Sequence, residues 1–314
     1  MSRAHHLHQA QCARFRALDE QLPPTYYLPA GEPIKARTAD GELVAGVIVH
    51  TSNPPGSLQL LWQTAEVFEL YPVLGEHPGA GMAALLAEWK AWLAEQDVPD
   101  QDSSCVVAWP SRDVEATRAL LDHGFVPLSV LAVRPPAPQP LTELSGTVKS
   151  GTVKVRRAGP ADLEAVVELT LAELKYASLV GASTFRPNAP QLKRAAAHVR
   201  LRTSDPVWLA EREGEPVAVA ECAWVDTTRS PGGHRLHPGR WAYVNCLSVH
   251  EQARGTGVGR ALMATAHQEF FRAGVIGNFL YYNLPNPLSS VFWPRQGYRP
   301  LWTIWEARPA VALR

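Results

Sequence analysis

The sequence lacks an excess of charge and any long apolar run, and each absence excludes a class of partner. Thirty basic and thirty acidic residues give a formal net charge of zero, so the charge balance favours neither nucleic acid nor a membrane surface. No window approaches the roughly 20 apolar residues of a membrane-spanning helix. The segment Ser2–Leu18 has no apolar core of the kind found in signal peptides. We therefore expect no nucleic-acid partner and no membrane partner.

Cysteine is also scarce, which bears on metals and on the redox compartment. The four cysteines are Cys12, Cys105, Cys222 and Cys246, and no two of them have the CxxC spacing. This arrangement argues against a disulfide framework and against a thiolate metal site. We expect a protein that binds no metal and works in the reducing cytoplasm.

A glycine-rich loop between a predicted strand and a predicted helix is the most informative feature that is present. The strand ends at Leu247-Ser248-Val249, and the loop reads Arg254-Gly255-Thr256-Gly257-Val258-Gly259-Arg260. Glycines allow successive backbone N–H groups to turn toward one point, and the start of a helix favours a bound anion. The two arginines add full positive charge. The loop is therefore predicted to hold a phosphate or pyrophosphate.

The surrounding sequence distinguishes this loop from other phosphate loops. A P-loop would end in Gly-Lys-Ser/Thr, whereas Gly259 is followed by Arg260, and a dinucleotide loop would follow the first strand of a βαβ unit. The loop instead comes after several predicted strands. It resembles the Arg/Gln-x-x-Gly-x-Gly/Ala pyrophosphate loop of the GNAT superfamily of acyl-CoA N-acyltransferases, with Arg254, Gly257 and Gly259 at the fixed positions.

A second motif downstream strengthens the resemblance, which runs from about Val153 to Arg308. The segment Asn286-x-x-Ser289-x-x-x-Trp293-x-x-x-Gly297-Tyr298 follows the family pattern Asn-x-x-Ala-x-x-x-Tyr-x-x-x-Gly-Phe. The resemblance implies acetyl-CoA as co-substrate and direct attack of an amine on its thioester. The residues it assigns to acetyl-CoA are Leu247, Val249, Arg254, Gly255, Thr256, Gly257, Val258, Gly259, Arg260, Asn286 and Ser289.

The chain also repeats itself on the scale of a whole domain. Three landmarks of the first half recur about 175 residues later: the turn Asp40-Gly41-Glu42, the run Pro78-Gly79-Ala80-Gly81 and the segment Gly124-Phe125-Val126-Pro127-Leu128. We therefore predict an α+β (α/β mixed) fold of two tandem GNAT-type domains. Each domain is expected to contain a mixed, mostly antiparallel sheet flanked by helices.

The expected domain boundaries follow from composition. Residues 1–135 form a degenerate GNAT-like domain, residues 136–152 a Pro/Gly/Ser-rich linker, and residues 153–314 the acetyl-CoA-binding domain. The first copy has Pro78 where the second has Arg254, and Ala84 where the second has Arg260. We therefore expect only the second domain to bind CoA tightly, with a weaker site in the first domain as the alternative.

Catalysis by direct attack needs a base. An alkyl amine with a pKa near 10.4 is neutral only about once in 2,500 molecules at pH 7, a handicap of roughly 4 to 5 kcal/mol. Glu221 is a carboxylate inside an apolar predicted strand, so we predict that it acts as base or acceptor ligand, with a structural ion pair as the alternative. Tyr243, on the next strand, is expected to line the acceptor pocket.

The family's usual acid, a tyrosine that protonates the leaving thiolate, corresponds to Trp293, whose indole cannot do this at neutral pH. Tyr281, Tyr282, Tyr298 or water remain as substitutes. The predicted function is transfer of an acetyl or other acyl group to an amine of a small molecule or peptide. The alternative is a non-catalytic acyl-CoA sensor or interaction module. The acceptor, the acyl chain length and the choice between a monomer (a pseudo-dimer of its own domains) and a homodimer stay open.

Overall fold

The computed structural model describes residues 3–138, 147–148, 151–181, 183–230 and 232–313. The helices are α1 (Arg3–Leu18), α2 (Pro78–Ala94), α3 (Val114–Asp122), α4 (Leu163–Ser178), α5 (Ala189–Arg200), α6 (Val258–Arg272) and α7 (Ser289–Arg295). The strands are β1 (Glu32–Arg37), β2 (Leu43–Ser52), β3 (Glu66–Val73), β4 (Ser103–Pro110), β5 (Val126–Arg134), β6 (Thr147–Val148), β7 (Gly151–Thr152), β8 (Lys154–Arg157), β9 (Val207–Arg212), β10 (Glu215–Asp226), β11 (Arg240–Val249), β12 (Gly277–Asn283) and β13 (Arg299–Ala307).

Eleven of these strands form one continuous sheet in the order β1-β2-β3-β4-β13-β5-β12-β11-β10-β9-β8. Neighbouring strands are antiparallel except for two pairs, β3 with β4 and β11 with β12. The prediction of a mixed, mostly antiparallel sheet flanked by helices is confirmed.

The two halves repeat one order of elements. The first half runs β1-β2-β3-α2-β4-α3-β5 and the second runs β9-β10-β11-α6-β12-α7-β13. In each half a parallel pair of strands brackets the longer helix, α2 or α6, as a crossover connection requires. The internal repeat in the sequence therefore corresponds to a repeat in structure.

The two halves exchange their last strands. The strand β13 lies between β4 and β5 and is antiparallel to both, while β5 pairs on its other side with β12. Each half thus completes its sheet with a strand from the other half. The sequence predicts one sheet in each half. In the structure the two sheets form a single continuous sheet, because no strand edge lies between the halves.

Helices cover the second half of the sheet on both faces. Ala242 and Val244 of β11 pack against Leu262 of α6, and Val219 of β10 packs in a separate cluster with Val166 of α4. The side chains of β10 and β11 therefore alternate between a face under α6 and a face under α4 and α5.

The predicted linker falls largely outside the described residues, because residues 139–146 and 149–150 are not among them. Within it, β6 and β7 pair with each other as a separate two-stranded sheet. Among the described residues, every helix is too short or too polar to cross a bilayer.

Candidate active site

A gap opens in the sheet where β11 and β12 part. The two strands are paired as far as Val244 and Leu280, and in the described residues no pairing between them continues beyond that point. Each strand keeps its other neighbour, since β11 follows β10 to Val249 and β12 follows β5 to Asn283. A cavity of about 670 Å³ lies at this gap. Its size is within the range of about 300–1,000 Å³ that is usual for ligand pockets.

The strand β11 presents backbone groups to this gap. The N–H of His250 donates to the carbonyl of Val217 on β10 at 2.8 Å. Because backbone groups alternate in direction along a strand, those of Leu247 and Val249 point away from β10 and toward the gap. These are the two residues that the resemblance assigned to acetyl-CoA through their main chain.

The glycine-rich loop closes one end of the cavity and leads into α6. Gly255 and Gly257 have φ angles of +74° and +96°, which other residues adopt only with strain. Gly259 lets the helix approach β11, since a Cβ atom there would lie 3.3 Å from a methyl group of Val249. The amides of the first helical turn have no partner within the helix, so they are available to an anion.

Three arginines contribute positive charge to the cavity wall. Arg254, Arg260 and Arg295 all line it. The Nε of Arg254 donates to the carbonyl of Val249 at 3.2 Å, and its guanidinium lies 5.3 Å from the ring centre of Tyr176. Arg254 is therefore held beside the strand end, while Arg260 is exposed on the first turn of α6.

Three further predicted residues organise the neighbouring turns. Thr256 uses its hydroxyl within the loop, donating to the carbonyl of Ala253 at 2.7 Å and accepting from Arg212 at 2.9 Å. Asn286 and Ser289 both line the cavity. The Asn286 side-chain oxygen accepts from the N–H of Leu288 at 2.9 Å, and so fixes the start of α7. Val258, also predicted, is buried against the core and lines the cavity.

The structure places Glu221, which the sequence predicts as base or acceptor ligand, among buried polar partners. Its carboxylate is 4% exposed and lies outside the cavity lining. One oxygen accepts from the side-chain amide of Asn245 at 3.0 Å, and the other lies 3.6 Å from Nε of Arg200. The ion-pair alternative describes these contacts, because both oxygens already have partners.

Tyr243 likewise lies away from the cavity. Its ring stacks on Phe279 with 4.8 Å between centroids and packs edge-on to Tyr281. The register of β11 explains why Tyr243 and Asn245 are placed differently. Glu221 pairs with Cys246 and Cys222 pairs with Val244, so Asn245 is the extra residue of a β-bulge. Bulges redirect side chains, and Asn245 lines the cavity whereas Tyr243 does not.

The sequence reasoning missed Glu173 on α4. It is the one carboxylate among the described residues that lines the cavity. The Sγ of Cys246 lies 3.9 Å from its Oε2. Burial raises the pKa of Glu173, an effect opposed by Lys193 and reinforced by Glu221. A signal was present, because Glu173 falls three residues after Thr170 and four before Ala177, both buried on α4.

The residues considered for the general acid differ in whether they line the cavity. Trp293 lines the cavity and is 7% exposed. The hydroxyl of Tyr298 lies 3.0 Å from Nε2 of His267 in the core and outside the lining. Tyr281 and Tyr282 do line the cavity, and burial raises the pKa of each. Of the three tyrosines that the sequence offered as substitutes, Tyr281 and Tyr282 are therefore the two that line the cavity.

The equivalent gap in the first half is filled by the chain itself. There β3 and β4 are paired as far as Leu70 and Val107. The side chain of Gln11 on α1 donates to the carbonyl of Pro72 at 2.8 Å and accepts from the N–H of Leu74 at 2.7 Å. Counting from the last parallel pair, with one residue added for the bulge, Pro72 and Leu74 correspond to Leu247 and Val249.

The helix α1 also contacts the other arm of that gap, since Phe15 packs edge-on against Trp109 of β4 at 5.2 Å between ring centroids. The loop is altered as well. Only residues 74–77 separate β3 from α2, compared with residues 250–257 between β11 and α6. Gly79 and Gly81 lie inside α2, where Gly81 allows close packing on Val44. The first half therefore lacks the loop that its sequence resembles.

Comparisons with known proteins agree with this description. Residues 174–298 match the model of the acetyltransferase (GNAT) family. A GCN5-related N-acetyltransferase from Sphaerobacter thermophilus is 16% identical, with 90% of this chain and 82% of that chain covered and a TM-score of 0.56. A functionally unknown conserved protein from Staphylococcus epidermidis ATCC 12228 is 12% identical, with 86% and 92% covered and a TM-score of 0.46. A predicted acetyltransferase with acetyl-CoA from Clostridium acetobutylicum is 17% identical, with 47% and 90% covered and a TM-score of 0.37. No curated protein matches the chain.

The glycine loop and the motif from Asn286 to Tyr298 both lie within the matched residues. Residues 174–298, in the second half of the chain, thus resemble the GNAT acetyltransferase family, as the two sequence motifs predicted. The likeness to the Sphaerobacter structure extends over both halves and shows that they share its overall fold.

Proposed function

We propose that this protein is an N-acetyltransferase that moves the acetyl group of acetyl-CoA to an amine of a small molecule or peptide. The reaction takes place in the gap between β11 and β12. The observation that carries the proposal is the gap itself, where backbone groups of Leu247 and Val249 that point away from β10 adjoin a cationic glycine loop. The corresponding gap in the first half is closed by Gln11.

The residues at the gap suit the parts of this donor. The amides at the start of α6, with Arg254 and Arg260, hold the pyrophosphate by charge-assisted hydrogen bonds. The pantetheine arm extends along β11 and bonds to the main chain of Val249 and Leu247. A backbone N–H of this strand faces the thioester carbonyl and stabilises the negative charge that develops on its oxygen. The bound donor supplies an activated acetyl group.

The residues at the gap and water account for the bonds and protons of the acetyl transfer. The amine nitrogen forms a bond to the carbonyl carbon, the carbon–sulfur bond breaks, and the amine loses a proton. The departing thiolate takes up a proton from the phenol of Tyr281 or Tyr282 or from water. A thiol with a pKa near 8.5 gives a thiolate that leaves readily at pH 7. The replacement of the family's tyrosine by Trp293 is therefore compatible with turnover.

The test is a thiol-release assay with acetyl-CoA and a panel of amines. The proposal predicts amine-dependent release of CoA and a mass gain of one acetyl group on the acceptor. Release should fall at least tenfold in a chain carrying Arg254→Glu and Arg260→Glu. Saturable acetyl-CoA binding with no release for any amine would contradict the proposal and support the sensor alternative, which the absence of a phenol at Trp293 motivates.

A further inference from the structure

We propose that Glu173 is the base that deprotonates the acceptor, and that the acceptor is an alkyl amine arriving as its ammonium ion. This inference rests on the proposed function and names both a catalytic residue and the substrate class of the same cavity.

The position of Glu173 along the cavity suits a base. Arg254, Arg260 and Arg295 line the cavity together with the glycine loop, where the pyrophosphate is held. Glu173 approaches Cys246, which lies only two residues beyond Val244, the last residue of β11 paired with β12. A donor whose pyrophosphate is at the loop therefore carries its acetyl group toward Glu173. The carboxylate lies where the attacking nitrogen must lose its proton.

The Glu173 carboxylate is also available to accept a proton. Glu173 is only partly buried and faces the cavity, whereas Glu221 is bonded to Asn245 and paired with Arg200. The contact that the structure gives the Glu173 carboxylate is the weak thiol donor of Cys246. A carboxylate with so few partners can accept a proton from a substrate without breaking an ion pair.

The charged groups around Glu173 also favour this role. The ionisable groups around Glu173 are Lys193 on α5, Glu221 on β10 and Cys246 on β11. Burial raises the pKa of Glu173, and a base whose pKa is closer to the working pH transfers protons more effectively. Lys193 is itself buried, with its ammonium 5.0 Å from the ring centre of Trp62. An ammonium substrate can therefore approach the Glu173 carboxylate, which is the one carboxylate in the cavity lining among the described residues.

The proton balance follows from this placement. The acceptor ammonium gives its first proton to Glu173, which passes it to solvent. The neutral amine then attacks the thioester carbon, and the second proton leaves as the carbon–sulfur bond breaks and reaches the thiolate. The net products are the acetamide, CoA thiol and one released proton.

The test compares Glu173→Gln with the matched variant Glu221→Gln on two acceptors. One acceptor is a primary alkyl amine with a pKa near 10, and the other is an alkoxyamine or hydrazide that is neutral at pH 7. Glu173→Gln should lower kcat/KM for the alkyl amine by about 10² to 10⁴, the usual contribution of general base catalysis. The loss for the neutral acceptor should be below about tenfold, because that substrate needs no initial deprotonation.

Two readouts separate a catalytic role from a structural one. The acetyl-CoA affinity of Glu173→Gln should stay within about twofold of the unmodified chain by calorimetry, and the acidic limb of its pH–rate profile should disappear. An equal loss on both acceptors, no loss on either, or the acceptor-dependent loss in Glu221→Gln instead would overturn the assignment. Absence of thiol release in the unmodified chain would overturn the proposed function itself.

Discussion

Gln11 and Leu74 are joined by a hydrogen bond of 2.7 Å that seals the first of two equivalent gaps in one sheet. The same carboxamide donates to the carbonyl of Pro72, so both the nitrogen and the oxygen of the Gln11 side-chain amide are hydrogen-bonded. In the second half the corresponding backbone positions face an open cavity. A duplicated fold has thus kept one cleft and filled the other with its own helix α1.

The first prediction concerns Gln11, whose side chain fills the gap in the first half. Gln11→Ala leaves a buried carbonyl and a buried N–H without partners, which should lower the free energy of unfolding by about 1–3 kcal/mol for each group. Gln9→Ala, an exposed change on the same helix, is the control and should have little effect. Chemical denaturation measures both. Equal stability of the two variants would contradict the role given to Gln11.

The second prediction concerns the arginines at the glycine loop. Arg254→Glu and Arg260→Glu should each weaken acetyl-CoA binding by about ten- to a hundredfold, since each removes a charge-assisted contact of about 1.5–3 kcal/mol and adds repulsion. Arg272→Glu at the far end of α6 serves as the control with the same charge change. Calorimetric titration reports the dissociation constants. Unchanged acetyl-CoA binding in the double variant would argue against a pyrophosphate site at residues 254–260.

The third prediction concerns acid stability. Burial lowers the pKa of His267 to about 3, whereas an unfolded histidine titrates near 6.5. Below pH 6.5 the unfolded chain therefore binds a proton that the folded chain does not. The free energy of unfolding should fall as the pH drops from 6.5 to about 3, by up to about 4 kcal/mol from this group.

His267→Gln should flatten that decline, and the exposed His198→Gln should leave it unchanged. His234, whose pKa burial lowers to about 4, accounts for part of the slope that remains. Denaturation curves collected between pH 4 and pH 8 provide the measurement. An unaltered slope in His267→Gln would contradict the assignment of a neutral buried imidazole.

The fourth prediction concerns the exchanged strands. A chain cleaved at a protease site inserted between residues 139 and 146 should still elute as one species, because β13 lies between β4 and β5 and β5 pairs with β12. A denaturing gel confirms that cleavage is complete. Two separately eluting fragments would show that the halves do not depend on each other's strands.

The sequence predicted the second half well because its signals are local. The glycine loop, the positions of Leu247 and Val249 and the motif from Asn286 to Tyr298 each depend on a short stretch of chain. The exchange of β5 and β13 could not be predicted in this way. A strand has the same alternating pattern whether it pairs within its own half or with the other half.

The catalytic residues were harder to predict for a related reason. Glu221 stood out as a charge in an apolar strand, yet that pattern does not reveal the partners Arg200 and Asn245. The bulge at Asn245 cannot be recognised from the amino-acid composition. Because of it, Asn245 lines the cavity and Tyr243 does not. The spacing of Glu173 from Thr170 and Ala177 predicts that it lies on the buried side of α4, but only the packing of α4 against β11 shows that this side meets the cavity.

A crystal structure of the protein with acetyl-CoA is the most direct test of the central claim. The account predicts one donor molecule per chain, with its pantetheine arm along Leu247 and Val249 and its pyrophosphate at residues 254–260. Gln11 should stay bonded to Leu74 in the same crystal. A donor bound between β3 and β4, or one bound away from both gaps, would contradict the account.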